Sequence, residues 1–318
     1  MNIIGLDIGG TKCAVIIGEA NDGNIRVIEK QVFKTDTNIS GQEMLEKFYP
    51  TVKEYKDTYN AECIGISCGG PLDSKTGTIL CPPNLPNFKD FKIVEILEKE
   101  FKIPAFLQND ANACALAEWL YGAGRGSENM IFMTFGTGLG AGLILDGRLF
   151  AGANDNAGEI GHVRLTPTGP LGYFKKGSCE GYCSGGGIRR YALILKEKWQ
   201  KSGRSSAFLQ STAEEDITAK TLAEGARAGD AFCKAVYKKS GEMLGRSLSI
   251  LIDLFNPERI AIGGVFMRSH DLLLSHAKRV IAREALPFAA EVCEIVPAAL
   301  SENIGDVSAL TVAKGDFL

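Results

Sequence analysis

Two glycine-rich stretches carry residue types that hold phosphate. The first is Asp7-Ile8-Gly9-Gly10-Thr11-Lys12, with Ile3, Ile4 and Leu6 before it and Val15, Ile16 and Ile17 after it. Exposed N–H groups at such a turn form an anion-binding concavity, to which Thr11 and Lys12 add donors. Gly9 and Gly10 let the chain turn sharply and come close to a ligand. Asp7, at the strand end, could hold Mg²⁺ directly or through water. Alone, the stretch reads equally as an ordinary hairpin with an exposed aspartate. The second stretch, Thr134-Phe135-Gly136-Thr137-Gly138-Leu139-Gly140, repeats the arrangement. It is no Walker A loop, since no Gly-Lys-Ser/Thr ends it, and it lacks the Rossmann context. Two such hairpins facing one cleft can clamp the β- and γ-phosphates of a nucleotide. Asp110 supplies the remaining chemistry. It follows a strand end and opens a helix, where a carboxylate can take the proton of a hydroxyl attacking phosphorus. Aspartate is also a favoured helix N-cap, so the type alone leaves both roles open.

The elements that position these residues follow from apolar periodicity. A strand, a glycine turn and a second strand run to Ile17, the turn Asn21-Asp22-Gly23-Asn24 follows, and Val27 to Phe33 reads as a third strand. Leu45, Phe48, Val52, Tyr55 and Tyr59 mark one face of a helix over 41–59. Cys63 to Ser67 is a short strand running into Gly69-Gly70-Pro71, Phe91 to Phe101 a helix, and Ala105 to Leu107 a strand. A helix from Ala111 to about Trp119 follows, and Gly122-Ala123-Gly124-Arg125-Gly126 breaks the pattern as a hinge or boundary. The second half begins as the first did, with Met130 to Leu145 reading strand, glycine turn, strand, and Asp146-Gly147 turning the next hairpin. A long helix after Asp230 leads through Asn256-Pro257 into the strand Arg259 to Ile262 and then Gly263-Gly264. This repetition predicts a duplicated α/β fold with a cleft between the halves.

The bulk properties exclude several classes. The 318 residues are 45% hydrophobic and 23% charged, which excludes disorder as the main theme. A net charge of −3 offers no basic field for nucleic acid or an anionic membrane. No apolar run reaches the roughly 18 residues that span a bilayer, and Asp7 lies too early for a signal peptide. Nine scattered cysteines fit reduced thiols in a cytoplasmic protein better than a disulfide framework.

Taken together, these segments resemble the ROK family of bacterial sugar kinases and repressors, across essentially the whole chain. Asp7 to Lys12 and Thr134 to Gly140 resemble its two phosphate loops, and Ile260-Ala261-Ile262-Gly263-Gly264-Val265 its adenosine loop. Asn109-Asp110-Ala111-Asn112 resembles its catalytic motif, Gly158-Glu159-Ile160-Gly161-His162 its sugar-binding signature, and Glu180 a further sugar-contacting glutamate. The resemblance implies an α/β, two-domain actin-like ATPase (ribonuclease H-like) fold with an interdomain active-site cleft. The smaller domain would take residues 1–118 and 303–318, the larger 119–302. It implies a glucokinase-type transferase that moves the γ-phosphoryl of MgATP to a hexose hydroxyl, the 6-hydroxyl of glucose first. N-acetylmannosamine, N-acetylglucosamine and fructose are the alternative acceptors.

In that reading Asp110 is the general base, and Asp7, Gly9, Gly10, Thr11, Lys12, Thr134, Gly136, Thr137, Gly138, Gly263 and Gly264 serve MgATP. The metal is held near Asp7, indirectly. Sugar hydroxyls both donate and accept, so a specific pocket needs amides and carboxylates. Gly70, Asn84, Asn109, Asp110, Glu159, His162 and Glu180 are the residues expected there. Many ROK proteins hold a structural Zn²⁺ through this histidine and a cysteine cluster. In the register set by Glu180 those positions are Leu171, Tyr173 and Ser178, so no zinc is expected. Cys179 and Cys183 leave a shifted site with His162 conceivable but read better as buried core thiols, and packing through Tyr173 and Phe174 would hold the His162 loop instead. A homodimer is implied by the resemblance alone. ROK repressors carry a DNA-binding segment before the first phosphate loop, for which this chain leaves no room. A sugar sensor that has kept its motifs, or a chaperone-like ATPase, are the other readings.

Overall fold

The computed structural model describes residues 1–21 and 23–315, so Asp22 of the expected turn and the last three residues lie outside the described residues. The chain forms two compact units: Met1–Glu128 with Gly142–Ala157 and Ala299–Leu318, and Asn129–Ala141 with Gly158–Ala298.

In the first unit, β1 (Asn2–Ile8), β2 (Lys12–Asn21), β3 (Asn24–Lys34), β4 (Ile64–Cys68) and β7 (Ala105–Asn109) form one sheet in the order β3-β2-β1-β4-β7. The glycine turn makes β1 and β2 antiparallel, while β1–β4 and β4–β7 are parallel. Central strands covered on both faces must be apolar throughout, and Ile3, Ile4, Leu6 and Ile8 are all buried. Ile4, Leu6, Ile8, Val15 and Ile17 face a core built with α1 (Gly41–Glu46), α2 (Tyr49–Tyr59) and α3 (Ile93–Phe101). Ile3, Ala14 and Ile16 point the other way, onto Ala309, Leu310 and Ala313 around α12 (Ile304–Val312). That helix lies so close that a Cβ on Gly65 would stand 2.2 Å from the Ala309 carbonyl oxygen.

The single helix expected over 41–59 is two. Ser40 and Glu43 form a capping box for α1, and α2 restarts with Pro50 in its first turn. A proline lacks the N–H that a helix interior needs but suits a helix start. Leu45, Phe48, Val52 and Tyr55 are nonetheless buried in one cluster, so the periodicity reported the face correctly across the break.

Two remote segments join this unit through specific contacts. The hairpin of β5 (Leu72–Asp73) and β6 (Thr78–Ile79) presents Ser74, whose N–H and hydroxyl donate to Asp155 at 2.8 and 2.9 Å. In α4 (Asp110–Tyr121) the fully buried Glu118 accepts from the backbone N–H of Ala123, Ala299 and Leu300 at 2.7, 3.0 and 2.8 Å.

The second unit holds β8 (Met130–Phe135), the start of β9 (Leu139–Leu145), β13 (Arg259–Ile262) and β14 (Glu294–Pro297), in the order β9-β8-β13-β14. Beyond Ala141, β9 belongs to the first unit, where its end pairs with β10 (Arg148–Leu149). The order repeats β2-β1-β4-β7. The hairpin β11 (Leu171–Gly172) and β12 (Lys175–Lys176) precedes α5 (Cys179–Tyr182), α6 (Gly185–Lys201), α7 (Ala207–Ser211) and α8 (Ala219–Arg227). Asp230 caps α9 (Ala231–Phe255), accepting from the N–H of Phe232 and Cys233. α10 (Val265–Glu284) crosses α9 closely at Gly241 and Gly245, and α11 (Pro287–Val292) precedes β14. These units differ from the boundaries expected at 118 and 303: the first break falls after Glu128, and residues 142–157 and 299–302 join the first unit.

Candidate active site

Asp7 and Asp110 stand at the carboxyl ends of parallel strands, where α/β sheets place their ligands. Asp7 is the penultimate residue of β1, opposite Ser67, Cys68 ends β4 opposite Asn109, and Asp110 follows directly. Burial pushes Asp7 up to about 6, and the carboxylates of Asp306 and Asp110 push the same way against Lys12 and Lys30. Lys30 pairs with Asp306 at 2.7 Å. Asp110 is solvent-exposed, yet the surrounding protein desolvates it enough to raise its proton affinity, against the N–H of Ala111 at 2.8 Å. The thiols of Cys68 and Cys114 are pushed up by burial and then by Asp110.

The N-cap of α4 is Asn109, not Asp110. The Asn109 side-chain oxygen accepts from Ala111 and Asn112, and Asp110 is the first helical residue. That leaves the second carboxylate oxygen of Asp110 for chemistry, its first accepting from Ala111, and leaves Asn109 its amide as a donor. A Cβ at Gly70 would lie 3.1 Å from that amide nitrogen. Thr11 and Lys12 project outward from the first glycine turn, and Gly10 lies against Asn84, whose Cβ would be 2.6 Å from one on residue 10. Neither Gly9 nor Gly10 has a positive φ, so close approach, not handedness, requires them.

In the second unit, Gly136, Thr137, Gly264 and Val265 line a cavity of about 820 Å³. Gly264 is the N-cap of α10 at φ 68, ψ −128, with Phe135 behind it, a conformation open to glycine alone. Gly185 donates its N–H to the Gly136 carbonyl at 2.8 Å, bringing the start of α6 to the second glycine loop. Thr134, Gly138 and Gly263 are outside the cavity wall, Gly263 being backed by the Phe132 ring. The rest of the wall was not anticipated: Arg189 of α6, Thr218 to Lys220 at the start of α8, and Arg227 and Arg268. Arg227 binds Asp271 through two hydrogen bonds of 2.9 and 2.8 Å and so braces α8 against α10. The triple-glycine helix start after Ser184 and the Thr218 capping box were the available signals.

Glu180 links the second glycine loop to the Gly158–His162 loop. Its carboxylate accepts from the N–H of Leu139 at 3.2 Å, and a Cβ on Gly138 would lie 2.9 Å from it. Gly158 and Gly161 lie on the carbonyls of Ala141 and Leu139, where no larger residue fits. Glu159 and His162 project from this loop with Oε2 and Nε2 3.7 Å apart. Leu171 is exposed, Ser178 caps α5, and the Tyr173 ring packs on His162. Cys179 and Cys183 are fully buried.

The pattern that defines the ROK family matches residues 3–316. The chain belongs to the ROK family. Its fold is the actin-like ATPase fold of ROK sugar kinases. This ROK protein is similar to a glucokinase of Thermotoga maritima, at 30% identity over 99% of this chain and 98% of that one. It is similar to the structure of a ROK family glucokinase from Streptomyces griseus in complex with glucose and AMPPNP, with 28% identity, a TM-score of 0.77 and 99% and 100% coverage. The ROK transcriptional regulator NagC of Escherichia coli is 28% identical over 87% of this chain and 72% of its own length.

Proposed function

We propose that this ROK protein is an ATP-dependent sugar kinase of glucokinase type, which transfers the γ-phosphoryl group of ATP to a hexose. The 6-hydroxyl of glucose is the first acceptor and Asp110 the base. The observation that carries the reading is Asp110 itself. It is an exposed carboxylate of raised proton affinity at the carboxyl ends of parallel strands, in a chain related over its full length to glucokinases.

The residues divide the work. Desolvation makes Asp110 a stronger base than a free aspartate, and the Asn109 amide beside it can hold the same hydroxyl. The cavity lined by Gly136, Thr137, Gly264 and Val265 receives the nucleotide, its glycines admitting a ligand against the backbone. Thr11 and Lys12 steady phosphate oxygens. Glu159, His162 and Glu180 supply acceptors and a donor for the sugar ring. Asp7, beside the first glycine turn, would hold a divalent cation indirectly, and the cation's charge would offset the repulsion that Asp7 feels from Asp306 and Asp110. When bound, Mg²⁺ supplies neutralisation of phosphate charge. A homodimer and a cytoplasmic location belong to the same reading.

The test is ATP consumption with Mg²⁺ over a panel of hexoses and N-acetylhexosamines, with Asp110→Asn beside the wild type. Turnover with one sugar should fall by about 10²–10⁴ in the variant, with sugar affinity within a few fold. Because Asp110 must be ionised, kcat should fall as pH drops through its raised pKa. Near-normal turnover in the variant would remove Asp110 as the base.

A further inference from the structure

The hairpin β11–β12 turns on the wrong residue types. Leu171 pairs with Lys176 and Gly172 with Lys175, so Tyr173 and Phe174 alone make the turn, with φ of 40° and 63°. Both sit in the left-handed region, which two-residue hairpin turns require and which asparagine and glycine occupy readily. A bulky aromatic residue there is strained. Burial does not offset the strain, since Tyr173 is 49% and Phe174 88% exposed.

What the turn does achieve is a contact with His162. The Tyr173 ring stands edge-to-face with the imidazole, centroids 4.7 Å apart at 70°, and Phe174 packs on Tyr173 at 5.2 Å. Lys175, from the same hairpin, donates to the His162 carbonyl at 2.8 Å. The backbone of the histidine loop is already fixed by Gly158 and Gly161 against β9. The ring is not: its Nε2 is 3.7 Å from Glu159, beyond hydrogen-bond distance.

We propose that Tyr173 is a positioning residue for the sugar site, its ring setting the orientation of the His162 imidazole towards one sugar hydroxyl. The proposal rests on the reading of His162 as sugar-binding. A hairpin that gives up backbone comfort to present an aromatic ring to a single imidazole serves that imidazole. The hydroxyl of Tyr173 has no part in it.

Glycine tests this cleanly, because Tyr173→Gly relieves the backbone while deleting the ring. Kinetics and histidine NMR are run on the wild type, Tyr173→Gly and Tyr173→Phe. With three histidines in the chain, His162→Gln identifies the His162 signal. Tyr173→Gly should raise the sugar KM by about three- to ten-fold, from the worth of one aromatic pair. The KM for ATP, kcat and Tm should hold or, for Tm, rise. The His162 signal should move in Tyr173→Gly and not in Tyr173→Phe, which keeps the wild-type sugar KM. An unchanged sugar KM in Tyr173→Gly, with an active wild type, overturns the proposal and leaves the kinase reading intact. If no sugar is turned over by the wild type, the kinase reading fails first. A His162 signal unmoved in Tyr173→Gly then overturns the positioning as well.

Discussion

At the residue scale, the burial of Asp7 carries a cost in stability. Its carboxyl titrates at about 6 in the folded protein against 3.8 unperturbed, for burial first and the neighbouring Asp306 and Asp110 second. Between those values the folded chain holds a proton that the unfolded chain has released. The stabilisation is therefore complete below the unfolded value and is lost as pH rises through about 6. The shift corresponds to about 3 kcal/mol. Asp7→Asn never ionises, so it should be more stable than the wild type at pH 8, by up to that amount, and similar to it at pH 4. Urea unfolding at the two pH values measures this; an equal difference at both would rule it out. The placement of Asp7 and Asp110 at strand ends was legible in the sequence, because each follows an apolar run. The division of labour between Asn109 and Asp110 was not. Both are favoured caps, and only the position of the first helical residue decides which one is spent on the backbone. The Gly263-Gly264 pair shows another limit: two glycines after a strand do not say which one lines a cavity and which makes room for Phe132.

At the element scale, α4 carries Asp110 at one end and Glu118 at the other. An acidic residue in a last helical turn opposes the helix dipole, so Glu118 needs a compensating partner, and it has three backbone N–H groups. Gly122 is required beside it, since a Cβ there would lie 2.2 Å from the carboxylate. Glu118→Ala would strand those donors, two of them from residues 299 and 300 in the approach to α12. A loss of about 3–5 kcal/mol is expected, more than one unsatisfied buried group costs. Glu118→Gln, which keeps one acceptor oxygen, should lose less. Denaturant titration would show it, and a change below 1 kcal/mol in Glu118→Ala would mean that water replaces the clamp. The sequence announced α4 by its apolar residues but not this role, because two of the three partners are nearly two hundred residues away. The break in the helix over 41–59 was nearer at hand. Pro50 marks it, but a proline in a helix's first turn and one in its interior look alike until the start is known.

At the scale of the whole molecule, the duplication and the return of the C-terminal segment to the first unit were expected from the sequence, and the ownership of residues 142–157 was not. Strand, glycine turn, strand recurs because each half solves the same problem, and the strand orders β2-β1-β4-β7 and β9-β8-β13-β14 follow. Residues 142–157 join the first unit, where Asp155 accepts from Ser74, and residues 299–315 join it through Glu118 and the packing of α12 on the sheet, long-range contacts that no local pattern records. The consequence is a first unit that the chain finishes only near its end. Ile3, Ala14, Ile16 and Cys63 are covered by Ala309, Leu310 and Ala313. Leu310 is fully buried and seated where Gly18 leaves no room for a side chain. Leu310→Ala should then cost about 2–5 kcal/mol, and the loss should be local to the unit that α12 completes. Amide hydrogen exchange should quicken in β1, β2 and β4, while α9 and α10 keep wild-type protection. An equal rise in α9 and α10 would mean that the two units open as one cooperative body, and that the late helix guards the whole chain.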